Sequence, residues 1–212
     1  MKSFSIPPRR LEDGEFFEPQ WTEDVPLERY LEACPVEAQT LGTFFAHVRQ
    51  QVVDALGSVP DEFFQGVGKK SWLPFRAYPL RDFMRVAHAA ARLAYPQLPR
   101  SDGLRRIGWR SYPSFASTMA GRVVLFALGD DLDDVVRASP KAYRLGLPGC
   151  SVEVTKVGDR HYRYEMRDVH SFVDSYHYGV LEGAVLAFKH KPDIRLRRLD
   201  RICDAEFEVR WG

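Results

Sequence analysis

The 212 residues hold no CxxC pair, no GxSxG turn, no complete phosphate-binding loop and no apolar run long enough to span a bilayer. Each absence removes a class of function. Cys34, Cys150 and Cys203 are odd in number and widely spaced, which excludes a disulfide framework and implies reduced thiols in a cytoplasmic protein. Together with six scattered histidines they show no zinc spacing, so neither a metal nor a cofactor is expected. Gly66-Val67-Gly68-Lys69-Lys70 lacks the full phosphate-loop spacing. The 30 Lys and Arg nearly cancel the 29 Asp and Glu, so the broad basic excess of a nucleic-acid binder is missing. Met1 to Arg10 carries no apolar h-region, and no secretory signal or membrane association is expected.

What remains reads as one soluble domain behind an arm. Residues 1–24 carry prolines, charges and the aromatics Phe16, Phe17 and Trp21 without either periodicity, and read as an extended arm tacked on through those rings. Residues 25–212 form a single α+β ligand-binding-type domain. Asp24 and Pro26 start a short helix to Cys34. Leu41, Phe44, Phe45, Val48, Val52 and Leu56 repeat at helical spacing, with Gly57 as a C-cap. A turn-rich connection follows, with one helical turn at Asp61 to Phe64. The next helix runs from Leu80 to Pro96, and Ser101 caps another. Pro113 is expected to break or kink that helix, a further one running from Ser114 to Leu128 and a short one from Asp130 or Asp131 to Ala138, with a loop at 143–149.

From Ser151 the period changes from about 3.6 to 2. Tyr162, Tyr164 and Met166 alternate with charged residues, as do Cys203, Ala205, Phe207, Val209 and Trp211. An amphipathic helix, Asp174 to His190, lies between the two hairpins. This β-β-α-β-β order, with one sheet face apolar, predicts a helical N-terminal part packed on one face of a small antiparallel sheet.

Tyr78-Pro79-Leu80-Arg81-Asp82-Phe83-Met84, Tyr112 to Arg122, Pro140-Lys141-Ala142-Tyr143 and Gly179-Val180-Leu181-Glu182-Gly183-Ala184 resemble a domain-of-unknown-function family that is paralogous in myxobacteria. The resemblance covers nearly the whole chain and implies no activity. More distantly, the element order resembles vinyl-4-reductase-type ligand-binding domains and haem–nitric-oxide-binding domains. That resemblance implies a concave space between helices and sheet. The Tyr-x-Ser-x-Arg motif that holds the haem propionates falls on His177, Gly179 and Leu181, so the resemblance supports the fold and argues against haem.

Tyr176-His177-Tyr178 with Gly179 is the foremost candidate site: small residues four apart allow close approach to a helix, and tyrosines offer flat contact surface. Close helix packing explains the glycines without any ligand. Trp109, Tyr112 and Phe115 flank Pro113 as a pocket wall or as core; Arg110 and Arg122 are carboxylate clamps or solvated ion-pair partners. Tyr162 and Tyr164 are core residues or line a sheet whose edge strand accepts a peptide. Arg195 and Arg197 face Asp204, Glu206 and Glu208 as cross-strand ion pairs. The composite expectation is a non-catalytic accessory protein that binds a peptide or small apolar ligand and presents it to a partner enzyme. The alternatives are a signalling or scaffold domain acting as a homodimer, and an enzyme using His177 and a tyrosine as acid and base.

Overall fold

Near residue 150 the structure changes from helices to sheet, at the point where the hydrophobic period changes. The computed structural model describes residues 15–117 and 131–212, with side chains for 15–113 and 131–212. Upstream lie α1 (Leu27–Ala33), α2 (Gly42–Leu56), a 3-10 turn (Asp61–Phe64), α3 (Leu80–Ala94), α4 (Arg100–Ser117) and α5 (Leu132–Gly146). Downstream come β3 (Ser151–Gly158), β4 (His161–Arg167), α6 (Tyr176–Ala187), β5 (Pro192–Arg198) and β6 (Ala205–Trp211). The fold class is α+β. A short ribbon of β1 (Gln39–Leu41) with β2 (Ala77–Pro79), not expected from the sequence, clamps the ends of α2 and α3. Three residues per strand leave no alternation to read.

Two prolines lie inside helices. Pro113 sits inside α4. Its ring removes one backbone bond, the one that would reach the Trp109 carbonyl, and that oxygen lies against Gly183 of α6. Pro140 sits inside α5, which therefore runs to Gly146 rather than stopping near Ala138. Here the lost donor is replaced: the Ser139 hydroxyl donates to the Val136 carbonyl at 2.7 Å. At the start of α5, Asp131 caps the helix by accepting from the Asp133 N–H. The remainder of the helix expected at Ser114 to Leu128 lies, from residue 118 on, outside the described residues.

The sheet is antiparallel throughout, in the order β3-β4-β6-β5. Tyr164, Phe207 and Leu196 lie side by side across three strands, and Tyr162, Val209 and Ile194 form the next row. All six are buried beneath the helices. The opposite face is less wet than its alternation suggests. Glu206 is only 5% exposed, held by Arg197 and by Arg167. The Phe16 ring of the arm lies over the Arg197 and Arg163 guanidinium groups at 4.8 and 5.4 Å. The arm also adds backbone to the sheet, since Phe17 and Leu196 exchange N–H to carbonyl bonds of 2.9 and 2.8 Å. Trp21 then packs edge-on against Tyr178 at 4.6 Å.

Helix α6 is buried on nearly every side rather than amphipathic, because it is sandwiched between α4 and the sheet. Its tightest contact is with α4. A Cβ at Gly179 would collide with the Arg105 carbonyl, and one at Gly183 with the Trp109 carbonyl, one turn further along. Reciprocally, Gly108 of α4 faces the Tyr176 carbonyl. The helices meet backbone to backbone, and glycine is the residue that permits this. At the rim, Arg105 donates to both carboxylate oxygens of Glu182 at 2.9 and 2.5 Å. Gly179→Ala and Gly183→Ala should each cost about 2–3 kcal/mol in denaturant unfolding, because backbone rather than a flexible side chain must move. Gly57→Ala, strained by its φ of 78° but with open space around it, should cost about 1 kcal/mol. A Gly179→Ala chain as stable as the parent would contradict the packing.

Candidate functional site at the helix–sheet interface

The turn ahead of α6 sets the direction of its first side chains. Phe172 takes a left-handed φ of 60°, and its carbonyl accepts from the N–H groups of Ser175 and His177 at 3.2 and 3.3 Å. The helix therefore starts with three consecutive side chains fanned to different partners. Tyr176 pairs with the Ser111 hydroxyl of α4 at 3.0 Å, and Ser111 donates in turn to the Ile107 carbonyl. Tyr178 donates to the Ile194 carbonyl of β5 at 2.9 Å. His177 points at α5, with Tyr143 Oη 3.0 Å from Nδ1 and Ser171 Oγ 2.8 Å from Nε2.

A neutral imidazole donates at one nitrogen and accepts at the other, and a hydroxyl on each side suits that arrangement. Burial favours the neutral form by lowering the His177 pKa from its ordinary 6.5 to about 3. Burial also pushes the Tyr176 phenol up to about 12 and the Tyr143 phenol well above its ordinary value. Ser171 is fully buried and His177 only 4% exposed. Among the described residues the pair is closed off from solvent, and no carboxylate orients the ring. The thiols give no alternative nucleophile: burial raises Cys34 and Cys150 to about 11 and Cys203 to about 12.

The residues expected to line a groove are divided by the structure. Tyr162, Tyr164, Tyr176, His177, Tyr178 and Gly179 all lie in the interior. Tyr162 stacks on Trp211 at 5.6 Å, and Tyr164 hydrogen-bonds Ser139 at 3.3 Å. Where an aromatic groove was expected, these rings fill the space with their own contacts. Trp109 and Arg110 face outward from α4. Tyr112 lies nearby, its ring 6.5 Å from Phe188 and its hydroxyl sealed without a hydrogen-bond partner among the described residues. The Phe115 side chain and the whole of Arg122 lie outside the described residues. Ser171 and Tyr143 were missed because they reach His177 from six and 34 residues away, at no recognisable spacing.

The same geometry tests haem. The positions of the propionate-holding motif are His177, Gly179 and Leu181: the first has both ring nitrogens engaged, and the second is in backbone contact with α4. Leu181 is buried and offers no polar atom. A macrocycle between α6 and its neighbours would have to separate contacts that glycine has closed. These residues do not fit haem.

Two surface features remain. A polar cleft of about 230 Å³ lies between α1 and the β5–β6 turn, lined among others by Glu23, Arg29, Tyr30, Asp174 and Arg198. Arg198 bridges Glu23 at 2.8 Å and Asp174 at 3.1 Å, and Tyr30 donates to Asp174 at 3.2 Å. Burial raises the Asp174 pKa. The second feature is β3, which pairs among the described residues with β4 alone and exposes Ser151, Glu153, Thr155, Lys156 and Val157.

His177 makes stability depend on pH. Unfolded, it binds a proton below about pH 6.5; folded, only near pH 3. Its contribution is fully present above pH 6.5 and is lost as pH falls toward 3. Between about pH 7 and pH 5 it should remove about 2 kcal/mol of unfolding free energy. His47, His88, His161 and His170 are lowered too and act with the same sign, so the comparison is with His177→Gln. That variant should show a shallower decline in urea titrations across the same range, and an equal slope would exclude His177 as the dominant group.

The arrangement has counterparts among solved structures. An H-NOX protein from S. oneidensis in the Fe(II)NO ligation state is 15% identical, with a TM-score of 0.64 over 81% of this chain and 99% of its own. The H-NOX domain from Shewanella oneidensis in the Fe(II)CO state is 16% identical, with a TM-score of 0.64 over 81% and 98%. An unliganded Fe(II) H-NOX mutant from K. algicida is 12% identical, with a TM-score of 0.62 over 81% and 96%. At these identities the likeness shows a shared fold. Comparison with curated protein sequences finds no match. Residues 36–212 match the model of DUF2378, a family described as proteins of unknown function, and the chain belongs to that family.

Proposed function

We propose that this is a haem-free, non-catalytic binding module with an H-NOX-like fold, which takes an extended peptide segment onto the free edge of β3 and so docks a partner protein. The observation that carries the reading is the asymmetry of the sheet edges. At β5 the chain's own Phe17 already pairs with Leu196 through an isolated antiparallel bridge. At β3, among the described residues, no such segment is present, and five of the eight residues are exposed. An open edge offers unpaired N–H and carbonyl groups to an incoming strand, and alternate side chains supply selectivity. Lys156, paired with Asp133 of α5 at 2.8 Å, and the register shift before Gly158 occupy the far end, which leaves Ser151 to Thr155 as the segment available. The filled interior favours a surface mode over an enclosed ligand.

The arm supports a second reading, self-association by exchange. Phe17 on β5 and Trp21 on Tyr178 are contacts that the arm of a second copy would reproduce. Light scattering of the whole chain and of a chain truncated before Pro26 separates the two readings. A dimer that becomes monomeric on truncation favours exchange; a monomer in both forms favours the free edge.

Peptides selected from a displayed random library on the whole chain provide the probe. A bound peptide should slow amide hydrogen exchange within Ser151 to Thr155, and Thr155→Pro should weaken it at least tenfold while leaving helical circular dichroism unchanged. Protection confined to the α1 cleft or to α4, with β3 unchanged, would overturn the reading.

A further inference from the structure

The turns at the ends of β4 and β6 bring together three side chains that the sequence keeps far apart. Asp168 and His170 follow β4, and Cys203 precedes β6. Because β4 and β6 are antiparallel neighbours, with Met166 opposite Ala205, the two turns stand side by side. They are tied by the Val169 N–H to the Cys203 carbonyl at 2.9 Å, and by the Asp168 N–H to Asp204 Oδ1 at 2.8 Å. One carboxylate oxygen, one imidazole nitrogen and the Cys203 sulfur all lie within 4.8 Å of one another.

His170 gives an independent sign. It is 6% exposed, and its Nδ1 is sealed from solvent without a hydrogen-bond partner among the described residues. Asp168 takes a left-handed φ of 56°, which turns this short acidic residue back toward β6. Cys203 is 2% exposed, and its sulfur lies 3.4 Å from Asp204 Oδ1, which also holds the Asp168 backbone. The Arg201 guanidinium lies across the cluster, 2.7 Å from Asp168 and 3.7 Å from Asp204. More than half of its side chain is exposed, so it can swing into solvent.

We propose that Asp168, His170 and Cys203 form a site for one divalent transition ion of the zinc class, with Asp204 supporting them and a water completing the tetrahedron. Thiolate and imidazole donors select zinc-like ions over magnesium or calcium, which prefer all-oxygen sets. Zinc bonds of about 2.0–2.3 Å place tetrahedral ligands nearer to each other than the present separations, which modest side-chain rotation achieves. The ion displaces the thiol proton, and the thiolate and carboxylate balance its charge. Its effect is to pin the turn that launches α6 to the turn that launches β6.

The test uses the untagged whole chain, stripped with chelator and titrated with Co²⁺. The expected result is one Co²⁺ per chain with a sulfur-to-cobalt charge-transfer band and the visible intensity of tetrahedral cobalt, both removed by one equivalent of Zn²⁺. Cys203→Ser should abolish the charge-transfer band, and His170→Asn should weaken binding by at least about tenfold. Cys150→Ser should leave both signals unchanged. Arg201→Ala, at an exposed position with little risk to folding, should tighten binding by up to about fivefold through release of Asp168. A parent chain without a thiolate–cobalt band overturns the proposal even if the variants fail to fold. So does a band that survives Cys203→Ser or disappears in Cys150→Ser.

Discussion

Two helices in backbone contact determine what the rest of this fold can do. Carbonyls of Arg105 and Trp109 rest on the Cα atoms of Gly179 and Gly183, and the Tyr176 carbonyl rests on Gly108. Such an approach is open only to glycine, and it draws α6 tightly against α4. Pro113 contributes by leaving the Trp109 carbonyl without its intrahelical donor, free to face Gly183. The Arg105–Glu182 pair closes the same contact at its rim, and Arg105 also lies 5.3 Å from the Trp21 ring of the arm. The position of the arm therefore depends on the same helix pair.

With α6 fixed in this way, Tyr176, His177 and Tyr178 are committed to Ser111, to Tyr143 and Ser171, and to the β5 backbone. Buried polar groups in such numbers are tolerable only because nearly every hydrogen-bonding atom of these three residues has a partner. The network specifies the interior, and burial favours the neutral form of His177. Accessible polar groups lie instead at the periphery: along β3, in the polar cleft beside α1 and at the turns that end β4 and precede β6.

Much of this was legible in the sequence wherever a period extended over several turns. The apolar spacing of Leu41 to Leu56 located α2, and the alternation at Tyr162 to Met166 and Ala205 to Trp211 located two strands of the sheet. The effect of a proline was less legible, because a chain can replace or redirect one lost backbone bond, as Ser139 does ahead of Pro140. Helix α6 was read as amphipathic, since periodicity cannot show that a second helix covers the far side. The glycines at 179 and 183 were rightly suspected of permitting close approach, but the approaching group is α4. Side-chain clusters were the least legible. Ser171, His177 and Tyr143, like Asp168, His170 and Cys203, converge through strand pairing and helix packing that no local spacing records.

The glycine contacts between α6 and α4 close, among the described residues, the space beside Gly179 and Gly183 that a macrocycle would need. The most direct measurement is a haem titration of the intact refolded chain, followed by absorption spectroscopy and desalting. Closed packing predicts that haem leaves with the small molecules and that no protein-bound Soret band remains, both in the parent chain and in His177→Gln. A stoichiometric, desalting-resistant Soret band in the parent chain, lost in His177→Gln, would contradict the account at its centre.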